Sequence, residues 1–106
     1  MLILKGNRGK STAIDIIVDR TNSICFVYND SPLIFDSIVV DSRIYSLKDF
    51  FDCIIETIDQ EIIDGKHYDY LLVYTDQKEE NLQYIVNWIE NNRWEIPCRD
   101  VILSCK

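Results

Sequence analysis

Between Asp69 and Thr75 the chain runs Tyr70-Leu71-Leu72-Val73-Tyr74, with no charged or amide side chain at either parity. A strand that is apolar on both sides has to be covered on both faces, and a parallel sheet packed between layers provides that cover. Residues 69–75 are therefore expected to form a central strand. The other elements are read around it. A length of 106 residues fits one domain spanning residues 1–106. With 47% hydrophobic and 27% charged residues, such a chain has enough apolar surface to bury a core instead of staying disordered.

Strand-like and helix-like segments alternate along the chain, with no repeat or Pro/Gly/Ser linker between them. Residues 1–4 form a short apolar run, and residues 5–12 read as a loop. Ala13, Ile14, Ile17 and Val18 then fall at helical spacing, which predicts a helix from about Lys10 to Arg20 with Asn22 as its stop. Residues 23–28 are rich in β-branched and aromatic side chains and end at Asn29-Asp30-Ser31-Pro32, the pattern of a strand running into a turn. Residues 33–40 fit either a hairpin or one bent strand. Ser46 with Asp49 makes a capping pair, and Leu47, Phe50, Phe51, Ile54, Ile55, Ile58 and Ile62 share a helical face before Gly65. After the central strand, Asp76 with Glu79 repeats the capping pattern ahead of Leu82, Ile85, Val86 and Ile89, and residues 101–104 form a last strand. The fold expected is α/β: a largely parallel sheet of four to five strands flanked by about three helices.

Eighteen acidic against eleven basic residues give a net charge of -7, which repels nucleic-acid backbones and anionic membranes and argues against direct binding to either. No apolar run reaches the roughly 20 residues that span a bilayer, and the charges near the N-terminus follow its apolar stretch, the reverse of a signal peptide. A cytoplasmic location is expected. Cys25, Cys53, Cys98 and Cys105 lack the close spacing of zinc ligands or redox pairs and read as reduced, mostly buried thiols. Seventeen isoleucines against eight leucines and one alanine suit an AT-rich coding sequence of the kind found in low-GC bacteria and phages.

The loop at residues 5–12 carries the chemistry. Binding a polyphosphate requires several backbone N–H groups turned toward one point at the start of a helix. Glycines permit that backbone, a lysine neutralises phosphate, and Ser or Thr ligates Mg²⁺. Gly6, Gly9, Lys10 and Ser11 supply these residue types between an expected strand and an expected helix.

Here the chain resembles the P-loop NTPases, with Gly9-Lys10-Ser11-Thr12 as the core of a Walker A motif. Leu4 stands where the usual motif has its first glycine. Lys5-Gly6-Asn7-Arg8-Gly9-Lys10-Ser11 is closer to the deviant K-G-G-x-G-K-[ST] form of the partition and cell-division-site ATPases, with Asn7 replacing the second glycine. The resemblance implies a minimal P-loop three-layer sandwich that binds ATP or GTP with Mg²⁺. Lys10 would neutralise the β- and γ-phosphates, and Gly6, Asn7, Arg8 and Gly9 would line the cradle. Ser11 would ligate Mg²⁺, Thr12 would touch the α-phosphate, and Lys5 would reach across a dimer interface.

Residues 24–30 resemble the family's second strand, which makes Asp30 the catalytic carboxylate near the attacking water and the metal. Residues 68–76 resemble the Walker B strand, except that Tyr74 occupies the place of the usual Asp. The hold on Mg²⁺ then falls to Asp76 or to Asp41. Ser104 corresponds to a polar sensor of the γ-phosphate. The function implied is nucleotide binding with slow or partner-dependent hydrolysis, in a homodimer or with a larger protein partner. The alternative is a non-catalytic acidic interaction or inhibitor protein, phage or mobile-element encoded, that docks on a larger ATPase or another host protein.

Other polar and aromatic residues read as structural. His67 has no ligand cluster around it and fits an ordinary loop histidine. Asp49, Asp52, Glu56, Asp59 and Glu61 fall mainly off the apolar helical face and fit a solvated surface, with a docking surface as the sharper alternative. Tyr84, Trp88 and Trp94 fit packing over the sheet, with a partner contact as the alternative.

Overall fold

The computed structural model describes residues 1–5, 20–30, 37–76 and 79–105. These contain strands β1 (Leu2–Lys5), β2 (Ser23–Asn29), β3 (Ile38–Asp41), β4 (Tyr70–Thr75) and β5 (Asp100–Cys105). They also contain helices α1 (Leu47–Ile63) and α2 (Glu79–Asn91), with a 3-10 turn at Arg93–Glu95. The five strands form one sheet in the order β1-β5-β4-β2-β3, and every pairing is parallel. The fold is thus α/β, with β4 in the middle of the sheet as its unbroken apolar run requires. The helix expected over residues 10–20 falls, but for Arg20, outside the described residues, and the three-layer P-loop sandwich that depends on it does too. Of residues 33–40, the part from Ile38 onward forms β3, which runs parallel to β2 with Val39 beside Val27.

Alternation along the strands sorts the core into two sets. Phe26, Val73 and Leu103 point to one face, where they meet Phe50, Ile54 and Ile58 of α1 and Leu82, Ile85 and Ile89 of α2. On the opposite face Cys25, Val27, Leu72 and Ile102 are buried, with Leu4, Tyr70 and Tyr74 packed against them. Burial of both sets explains why β2, β4 and β5 carry no polar stripe. The connections β3-α1-β4 and β4-α2-β5 run the same way across the sheet, and crossovers of one hand then place both helices on one face. There the rings of Phe51 and Trp88 stack at 4.5 Å, which joins α1 to α2.

Both ends of α1 have local causes. The backbone N–H of Asp49 donates to Ser46 Oγ at 3.2 Å, and the N–H of Ser46 donates to Asp49 Oδ2 at 3.0 Å, completing the capping box. At the other end Gly65 takes φ +80°, Gly65 N–H bonds the Ile62 carbonyl at 3.0 Å and Lys66 N–H bonds the Glu61 carbonyl at 2.9 Å, a Schellman motif. Arg93 supports the approach to β5 by donating to the carbonyls of Ile96 at 2.6 Å and Cys98 at 2.7 Å. The amino terminus pairs with Asp100 at 3.2 Å and ties β1 to the start of β5. Cys25, Cys98 and Cys105 are buried and Cys53 is half-buried. Among the described residues no helix is long and apolar enough to cross a membrane.

Candidate functional site

Since every strand points the same way, all five carboxyl ends lie along one edge of the sheet, the edge at which ligands of open α/β sheets bind. This edge collects Lys5 from β1, Ser104 and Cys105 from β5, and Thr75 from β4 with Asp76 following it. Asn29 of β2, followed by Asp30, and Asp41 of β3 complete it. Residues 6–12, with Gly6, Asn7, Arg8, Gly9, Lys10, Ser11 and Thr12, lie outside the described residues. The strand that leads to them is formed, and it ends at this edge.

Strand order decides which groups can share a ligand. β5 lies between β1 and β4, and in register Ser104 stands beside Leu4 on one side and Tyr74 on the other. The three side chains therefore share the face opposite the two helices. Ser104 is fully buried, and among the described residues its hydroxyl has no hydrogen-bond partner. A buried hydroxyl without a partner costs about 1–3 kcal/mol, so a group of this kind usually waits for a water or a ligand. Cys105, one residue on, points to the helical face, and its thiol contacts the Leu4 carbonyl at 3.7 Å.

Asp30 and Asp76 follow β2 and β4, which are neighbours paired through Tyr28 and Thr75. From β2 the chain goes on to β3 on one side of the sheet, and from β4 it goes on to β5 on the other. Asp30 and Asp76 thus follow the two neighbouring strands from which the connections diverge. By strand spacing, the end of β4 lies roughly 10 Å from the end of β1, and the end of β2 roughly 14 Å from it. Asp76 is half-buried. Burial pushes the Tyr74 phenol above its usual value, and the Asp76 carboxylate adds to that shift. Asp30 is exposed, and its N–H donates to Asn29 Oδ1 at 2.9 Å.

Asp41 is committed to its own turn. It accepts from the Arg43 backbone N–H at 2.9 Å, from Nε at 3.1 Å and from Nη2 at 2.9 Å. The side-chain bonds of Arg43, followed by its backbone N–H, hold the Asp41 carboxyl below the usual carboxylate range. The Arg43 guanidinium is held above its usual value first by its hydrogen bonds to Asp41 and, least, by the charge of Asp30. The sequence reading passed over this arginine. Its signal was the Asp-Ser-Arg spacing at the end of a strand, where a planar guanidinium folds back on the carboxylate two residues before it.

Among the described residues no group of three or more His, Cys, Asp or Glu side chains is arranged to hold a metal. Asp30 and Asp76 follow neighbouring strands, and a carboxylate is an oxygen ligand of the kind hard cations take.

No protein-family model, curated protein or solved structure matches the chain.

Proposed function

We propose that the chain binds a nucleoside triphosphate with Mg²⁺ at the carboxyl edge of the sheet, through a P-loop formed by Lys5, Gly6, Asn7, Arg8, Gly9, Lys10, Ser11 and Thr12. The observation that carries this reading is the buried, unpartnered hydroxyl of Ser104, in the strand next to β1 and level with the residue before the loop. An apolar sheet has no use for a hydroxyl there, whereas a phosphate or its bound water would satisfy it. Lys10 neutralises the β- and γ-phosphates, Gly6 and Gly9 let backbone N–H groups approach, and Thr12 touches the α-phosphate. Ser11 with Asp76 and Asp30 would hold Mg²⁺, which offsets phosphate charge when bound.

Asp30 is the carboxylate assigned to the attacking water. With Tyr74 in place of a carboxylate at the end of β4, the hold on the metal is weak, and hydrolysis is slow or awaits a second copy or a larger partner. Calorimetric titration of ATP and of GTP, each with Mg²⁺, into the wild type, Lys10→Ala and Ser104→Ala tests the reading. Saturable binding that Lys10→Ala abolishes and Ser104→Ala weakens is expected. No heat at millimolar nucleotide with folded wild-type protein would overturn it.

A further inference from the structure

We propose that the outer edge of β3 and the flank of α1 above it form a docking groove for a basic, extended segment of a partner protein, which joins the sheet as a further strand. β3 is the last strand of the sheet, and no described strand pairs with its outer side; its Val40, beside Tyr28 in register, is the residue that faces α1. On α1 the Phe51 side stacks against α2, so the flank carrying Asp49, Cys53 and Glu56 looks the other way, past the edge of the sheet. Between that flank and β3 lies a groove of about 410 Å³, with Val39, Val40 and Cys53 among its lining and with Asp49, Asp52 and Glu56 as its charged residues.

The charge selects the occupant. Among the described residues no lysine or arginine lines the groove. Asp52 pairs with the exposed Lys48 at 3.3 Å and Asp49 closes the cap of α1, while Glu56, one turn on from Asp52, is exposed. A second copy of this chain would bring the same carboxylates and the same net charge of -7 against them. Nucleic acid would bring phosphates. A strand added to β3 turns every second side chain toward α1, so a segment with Lys or Arg at alternate positions meets the carboxylates while its backbone takes up the free strand edge. The inference is independent of the nucleotide reading.

Fluorescence anisotropy at physiological salt tests it, with a labelled heptapeptide of alternating Lys and Val, its Glu-Val counterpart, and a Lys-Val version methylated on alternate backbone nitrogens. The wild type is expected to bind the Lys-Val peptide saturably and the Glu-Val peptide not at all. Methylation, and separately the double substitution Asp52→Lys with Glu56→Lys, should each weaken binding about tenfold or more. Both substituted residues are exposed, so circular dichroism should report an unchanged fold. Absence of saturable binding, or binding that the double variant retains, would overturn the proposal. Binding that survives methylation would overturn strand addition.

Discussion

Ser104 stands directly beside Leu4 where β5 pairs with β1, fully buried and with its hydroxyl unpaired among the described residues. The sheet therefore carries an internal cost next to the strand that leads into the proposed phosphate-binding loop. Replacing Ser104 by Ala removes the unpaired group and leaves a methyl of similar size. The unliganded protein should gain about 1 kcal/mol of stability in urea unfolding while its affinity for nucleotide falls. A variant less stable than the wild type without ligand would show that the hydroxyl has a partner in solution.

Phe50, on the inner face of α1, is fully buried, its ring 5.1 Å from that of Tyr28. Phe50→Ala should cost about 3–5 kcal/mol, enough to unfold much of a domain of ordinary stability. Tyr84, 66% exposed on α2, should lose no more than about 0.5 kcal/mol on replacement by Ala. Thermal melts of the two variants check the contrast.

How much of this was legible beforehand depends on whether the signal is local. The start of α1 was readable because Ser46 and Asp49 are three residues apart and Phe50, Ile54 and Ile58 repeat at helical spacing, and β4 was readable because its apolar run leaves no face for water. The order of the strands was not. Nothing in residues 100–105 says that β5 inserts between β1 and β4, so neither the pairing of Ser104 with Leu4 nor the placing of Asp30 and Asp76 after neighbouring strands could be derived from spacing. Val39 and Val40 were ambiguous for a related reason. Two short apolar runs around Asp36-Ser37 fit a hairpin as well as a strand, and only pairing with Val27 and Tyr28 settles where β3 lies.

Gly65 ends α1 at φ +80°, and a Cβ built there meets nothing within 4 Å. The effect of Gly65→Ala is therefore confined to backbone conformation. It should destabilise by about 1–2 kcal/mol, with no change in the packing reported by Trp88 fluorescence. Gly65→Asn should recover part of the loss, because Asn enters the left-handed region more readily.

Arg43 and Asp41 give the carboxyl edge a defined response to acid. The Asp41 carboxyl is lowered first by the Arg43 side chain and then by the Arg43 backbone N–H. A carboxyl whose value is lower in the folded state contributes stability that is fully present above its unfolded value and is lost as pH falls through the folded one. Arg43→Ala keeps the backbone bond and removes the guanidinium. Carboxyl carbon NMR titration should therefore find Asp41 moved up toward, but not to, its ordinary value. The stability difference between wild type and variant should be constant near neutral pH and shrink as acid protonates Asp41 in both. Because the pair is exposed, added salt should reduce that difference as well. If Asp41 titrates identically in the two proteins, the guanidinium does not hold the carboxylate in solution, and the turn after β3 rests on its backbone bonds alone.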